Sequence, residues 1–322
     1  MEEQNKEQKA EELVNVDEEG KPIEGFEEEE DEDLEELTEN GSLKPRKPKP
    51  FVIFLMVVFS LLIVLGGSYF IYLQYKRTQR FVVIIKDNEN EIEEKAAEII
   101  ADVIKRKKNA ALGLITGSTT AEGIYKKLIR KNHDGEISFA AVSTYNIGEY
   151  VGFARSNNDS FYHYMNNHFF NYVDIKKENT HFPDIEKDIE KGRREYDDLL
   201  KNAKLDLQLI GVGSNGHIGF NEPGTSFNST VQVVNLSDRV IKHFSRLFGG
   251  DTNKVPKLGV TMGIKNILSA GEIVVYASGR RKAEAIRALV KGDIDLNIPI
   301  TALNTHKGKV YVITDKEAAS LL

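Results

Sequence analysis

The 322-residue chain contains no cysteine and no tryptophan. Without thiols, it has no disulfide framework, thiolate metal site or cysteine nucleophile, and any catalysis must use other side chains. The compartment stays open, because a cysteine-free domain suits reducing and oxidising surroundings alike. Charge balance is missing as well. Residues 1–50 carry 19 Asp/Glu against 7 Lys/Arg, so the acidity behind the net charge of −7 belongs to that segment alone. The same stretch is poor in apolar residues, and its run from Glu27 to Asp33 repels itself in any compact form; residues 1–50 are expected to be a disordered acidic tail. It is either a solvated leader or a dock for a basic partner.

A long stretch without charge follows. Residues 51–73 read FVIFLMVVFSLLIVLGGSYFIYL, 23 residues without an ionisable acid or base, enough to cross a hydrocarbon core of roughly 30 Å. A single transmembrane helix in contact with lipid is expected, followed by a juxtamembrane linker over 74–81. A cleaved signal peptide would have a short basic leader in place of this acidic one. Lys44, Arg46, Lys47 and Lys49 precede the apolar run, and Lys76, Arg77 and Arg80 follow it. Four cations against three decide little, leaning the N-terminal side slightly towards the cytoplasm; a cytoplasmic domain after the helix is preferred.

From Phe81 onward, short apolar runs alternate with helix-length amphipathic stretches, the pattern of βα units around one open, mostly parallel sheet flanked by helices. Strands are expected over 111–115, 139–143, 207–212, 273–277 and 310–314, and a helix over 91–107 with Ile92, Ala96, Ile99, Ile100 and Val103 on one face. Ligands of such sheets sit at the carboxyl ends of strands. Three loops there carry chemistry. Gly117, Ser118 and Thr119 precede a helix and can present backbone N–H groups and hydroxyls to an anion. The absence of the downstream Gly-Lys-Ser/Thr of a nucleotide P-loop disfavours a nucleoside triphosphate. GSNGHIGFNEP, at 213–223, sets His217 five residues before Glu222 in a glycine-rich turn, a general acid–base pair at neutral pH. SGRRK, at 278–282, adds cations.

The segments LGLITGSTTAEGIYKKLI, EYVGF, NNDSFYHYMNNHFF, LIGVGSNGHIGFNEPGTSF, VPKLGVTMGIKNILSA and SGRRKAEAIRALVKG together resemble the glucosamine-6-phosphate deaminase (glucosamine/galactosamine-6-phosphate isomerase) family over 82–322. The related 6-phosphogluconolactonases share the Gly-His loop but not the Phe-Asn-Glu-Pro after it. The resemblance implies that an amino sugar 6-phosphate opens its ring, moves its carbonyl from carbon 1 to carbon 2 and loses ammonia to give fructose 6-phosphate. It implies no metal or organic cofactor and no nucleic-acid partner, and it admits a homo-oligomer. His217 would serve ring opening, with Asn215 and Glu222 holding it. The phosphate would meet Gly117, Ser118, Thr119, Arg246 and Lys282, since paired cations make charge-assisted bonds to it.

Two positions depart from the family pattern. Thr120 stands where proline is usual. Gly148, in TYNIGEY, stands where the family has the aspartate that carries the proton between carbons 2 and 1. Losing a positioned base costs on the order of 100- to 10,000-fold in rate. Glu149 is adjacent, but neighbours on an extended segment point to opposite sides. The sequence thus admits a membrane-anchored deaminase that uses Glu149 or water, or a catalytically silent phosphosugar-binding sensor or scaffold.

Overall fold

Aliphatic runs bounded by Gly, Asn and Asp become strands that are buried on both faces, and the amphipathic stretches between them become the layers that cover those faces. A computed structural model describes residues 49–117 and 119–322. It divides the chain into two compact units, Met1–Gly66 and Gly67–Leu322. In the first unit the described residues belong to helix α1 (Pro50–Arg80), whose apolar span Pro50–Phe70 has mean hydropathy 2.7 and buries nothing. The helix runs on through 74–80 with no break. The tail expected over 1–50 lies outside the described residues except for its last two positions.

In the second unit β1 (Phe81–Lys86) and α2 (Glu89–Arg106) are followed by β2 (Ala111–Leu114), α3 (Thr119–His133), β3 (Ser143–Asn146) and β4 (Gly148–Tyr150). Next come α4 (Phe161–His168), β5 (Thr180–His181), α5 (Ile189–Ala203), β6 (Leu207–Gly211) and β7 (Gln232–Asn235). The chain continues with α6 (Asp238–Phe244), β8 (Leu258–Thr261), α7 (Ile264–Leu268), β9 (Glu272–Ala277), α8 (Ala283–Lys291) and β10 (Lys309–Asp315). Helix α2 starts where the Asn88 side chain accepts from the Glu91 N–H at 3.0 Å, which satisfies one of the donors left open at a helix start. Glu89 and Glu91 lie in its first turn and Lys105 and Arg106 in its last, as the helix dipole favours.

Seven strands form one parallel sheet in the order β1-β10-β9-β6-β2-β3-β5. Side chains alternate between its faces. Leu112, Leu114, Leu209 and Val274 join the core under α2 and α3, while Ile210, Ile273, Val275 and Val312 join the one under α5, α7 and α8. The sheet is therefore doubly wound, as the alternation of runs implied. Strands β4, β8 and β7 make a separate antiparallel ribbon.

The strand expected over 139–143 is displaced. Residues 139–142 form a turn, and the strand begins at Ser143. Phe139 and Val142 are buried as strand residues would be, but they fill the core beneath that turn.

Candidate active site

The chain leaves β2 for β3 and β5 on one side of the sheet, then returns to β6, β2's other neighbour, and goes on outward to β9 and β10. This reversal leaves the loops after β2 and β6 side by side, where a crevice opens at the carboxyl ends of the strands. The cavity there has a volume of about 640 Å³, and Gly117, Gly148, His217 and Lys282 all line it. The three loops singled out in the sequence thus meet in one place.

His217 is held by a relay. Its Nδ1 lies 2.7 Å from Asn215 Oδ1, and Asn215 Nδ2 donates to Glu222 Oε2 at 2.7 Å. Ser237 Oγ donates to the other carboxylate oxygen at 2.9 Å. A carboxylate only accepts, so the Asn215 amide turns its N–H2 to Glu222 and its oxygen to the ring. Nδ1 must then carry the proton, and Nε2 keeps a free lone pair. Burial pulls the His217 pKa down to about 4, against the opposing pull of Glu222. The ring is consequently a neutral base across the physiological range.

The anion loop shows the other half of the site. Gly117 has a φ of +83°, and a side chain there would collide with the Phe244 ring, so glycine is needed for both reasons. Arg246 donates to the Gly117 carbonyl. Lys282 Nζ donates to the Val212 carbonyl at 2.6 Å, and its pKa is lowered first by burial and then by Arg281 and Arg239. Ser118 and the side chain of Thr119 lie outside the described residues. The Thr120 hydroxyl donates to the Glu89 carboxylate, so the residue standing at the usual proline position ties α3 to α2.

Gly148 faces the cavity with no side chain. A Cβ built on it would stand 2.3 Å from the Val260 carbonyl oxygen of β8, well inside contact distance, so a side chain there requires a backbone shift. Glu149 is turned to the first turn of α4. Its Oε1 accepts from the N–H groups of Tyr150 at 2.8 Å and Phe161 at 2.9 Å, and its Oε2 accepts from that of Tyr162 at 2.9 Å. It is 4% exposed, and burial raises its pKa to about 7. In this arrangement Glu149 is a structural carboxylate at a helix start.

Sequence reasoning did not single out Glu89, Arg239, Lys242 and His243, which also line the cavity. A signal existed for the last three. With Arg246, they recur at helical spacing of three and four along 239–246, which puts basic side chains on one face.

Comparison with known proteins agrees with this geometry. The family profile described as glucosamine-6-phosphate isomerases/6-phosphogluconolactonase matches residues 86–312. The chain belongs to that family. A glucosamine-6-phosphate deaminase of Thermoanaerobacter sp. (strain X514) is 44% identical over 242 residues, covering 74% of this chain and 94% of its own. A glucosamine-6-phosphate deaminase of Mycoplasma mycoides subsp. mycoides SC is 43% identical over 241 residues, covering 74% of this chain and 97% of its own. Among solved structures, a monomeric glucosamine-6-phosphate deaminase superposes with a TM-score of 0.71 at 42% identity, covering 74% of this chain and 99% of that one. The 6-phosphogluconolactonase of Trypanosoma brucei, at 18% identity and a TM-score of 0.60, shares the fold. Within the glucosamine-6-phosphate isomerase/6-phosphogluconolactonase family, these relatives place the chain beside the deaminases, as the Phe-Asn-Glu-Pro of its His loop suggested.

Proposed function

We propose that the domain takes glucosamine 6-phosphate and water to fructose 6-phosphate and ammonia, tethered to a membrane by 51–73 and facing the cytoplasm. The observation that carries the reading is the His217–Asn215–Glu222 relay, whose histidine lines one cavity with Lys282 and Gly117. The 6-phosphate is held by the backbone around Gly117, Ser118 and Thr119 together with Arg246 and Lys282. His217 Nε2 takes the proton of the carbon-1 hydroxyl and returns it to the ring oxygen, which opens the ring. The carbonyl then moves from carbon 1 to carbon 2, and water replaces the amino group. With glycine at 148, no side chain carries the proton between the two carbons. That step falls to water, and turnover is expected about 100- to 10,000-fold below that of a site with a positioned base.

A second reading is favoured by Gly148 and Glu149. The carbonyl of Val260 occupies the space of a side chain at 148, and Glu149 is committed to three backbone N–H groups. A pocket that binds the phosphosugar without turning it over would serve as a sensor or scaffold. Incubating the full chain in detergent micelles with glucosamine 6-phosphate, and following ammonia release beside thermal stabilisation, separates the two. Ammonia above the uncatalysed level, abolished by His217→Ala, establishes the enzyme. Stabilisation without ammonia establishes the sensor. Neither signal would overturn both readings.

A further inference from the structure

The cavity holds more positive charge than a single sugar phosphate can use. Lys282 lies at its floor and is half-buried, while Arg239, Lys242 and Arg281 are exposed around its rim. Among the described residues none of the three rim cations forms an ion pair with a carboxylate, and Glu89 is the one acidic side chain lining the cavity. One guanidinium is held in place, and a second cation is set by its backbone turn. Arg239 Nη1 donates to Ser214 Oγ at 2.9 Å, which sets its guanidinium over the loop of His217. Arg281 sits in the 3₁₀ turn Arg280–Lys282, directly before the cation on the floor.

These groups feel one another. Arg239 and Lys282 both act to lower the pKa of His217, Arg281 and Arg239 that of Lys282, and Arg246, Lys282 and Arg281 that of His243. In each case burial contributes more than the cations do. An array of like charges in mutual range destabilises the empty site, and bound anions relieve it. The 6-phosphate, with a charge of about −1.5 to −2, is matched by Arg246 and Lys282. The ammonium of an amino sugar adds a further positive charge, leaving Glu89 as the one lining carboxylate against Arg239, Lys242 and Arg281.

We propose that Arg239, Lys242 and Arg281 form a second anion subsite at the mouth of the cavity, so that the preferred ligand is a hexosamine 6-phosphate bearing a second anionic group. The inference rests on the phosphosugar reading of the same pocket and narrows its ligand class. The second anion is a phosphate or a carboxylate, and it lies on the side of the sugar that faces the His217 loop, across from Gly117. A guanidinium held by Ser214 recognises either group through paired N–H donors.

The test is calorimetric binding to the full chain in detergent micelles at low ionic strength, where exposed charges are least screened. Three probes with a free carbon-1 hydroxyl are compared: glucosamine 6-phosphate, glucosamine 3,6-bisphosphate and 3-O-carboxyethyl-glucosamine 6-phosphate. The quantity read is the Kd of the monophosphate divided by that of each doubly anionic probe. A charge-assisted contact predicts a ratio of at least about 10 for one of them, falling to near 1 in the R239Q/R281Q variant. Both substituted side chains are exposed, so the core is untouched. The probe that shows the ratio identifies the second anion as phosphate or carboxylate. A ratio near 1 in the native chain overturns the subsite and leaves the phosphosugar pocket standing. A high ratio that survives in the variant overturns the assignment to these residues. Failure of all three probes to bind overturns the pocket reading and the subsite together.

Discussion

Asn215 decides what His217 can do. Its amide oxygen takes Nδ1 at 2.7 Å and the Glu222 carboxylate stands farther off at 3.6 Å, so burial outweighs the carboxylate's pull and dominates the histidine's pKa. The folded-state value of about 4 lies below the ordinary 6.5. A depressed histidine contributes stability that is fully present above 6.5 and is lost as the pH falls through about 4. The C2–H proton resonance of His217 is therefore expected to stay flat from pH 8 to about 5; a midpoint near 6.5 would contradict the burial argument. Asn215→Asp places a second carboxylate beside the ring and is expected to move this midpoint upward towards the ordinary value. His217→Ala should cut ammonia release by about 100- to 10,000-fold while leaving glucosamine 6-phosphate able to stabilise the protein thermally. His217, Asn215 and Glu222 were all legible as a motif, since five residues of glycine-rich loop bring them together locally. The obstruction at Gly148 was not, because the Val260 carbonyl lies on a strand more than a hundred positions away.

Among the elements, the ribbon of β4, β8 and β7 shows how an absent side chain shapes its neighbours. Gly148 pairs with Thr261, and the Val260 carbonyl lies where a Cβ would go. Gly148→Ala is expected to destabilise the domain by about 1–3 kcal/mol, read as a lower denaturation midpoint, and Gly148→Asp by at least as much. If either variant is as stable as the native chain, the strands have room to separate and the Val260 carbonyl is no obstruction. Glu149 joins β4 to α4, and its pKa is raised from 4.5 to about 7. A raised carboxyl contributes stability that is fully present below 4.5 and is lost as the pH rises through about 7. The stability of the native chain relative to Glu149→Gln should therefore fall across that window, by on the order of 3 kcal/mol; a flat difference would show that the carboxyl titrates normally. The long amphipathic helix α2 was readable from its period and caps. The strand at β3 was placed three to four residues early because Phe139 and Val142 are apolar for the sake of the core beneath a turn, and a short apolar run does not reveal its backbone conformation.

At the scale of the whole molecule, the α/β class and the parallel sheet followed from the alternation of strands and helices. The antiparallel ribbon did not, since its strands of three or four residues come from three separated segments and none is long enough to show a period. The absence of cysteine makes the proposed membrane topology directly measurable. In Ser320→Cys, the introduced thiol is exposed and unique. A membrane-impermeant maleimide should label it only after the cells are permeabilised; labelling of intact cells would place the domain outside.

Phe81 to Lys86 pair with Val310 to Asp315, so the first strand of the sheet hydrogen-bonds to the strand made last. During synthesis β1 emerges directly behind the apolar helix and then waits, unpaired, while more than two hundred residues are added. The clasp between β1 and β10 closes only when Asp315 has cleared the ribosome. A chain halted before residue 309 would carry its apolar helix and a nearly complete cavity, yet leave the edge of β1 open to any strand nearby. Quality control acting on that exposed edge would distinguish a finished copy from an unfinished one before either reached its substrate.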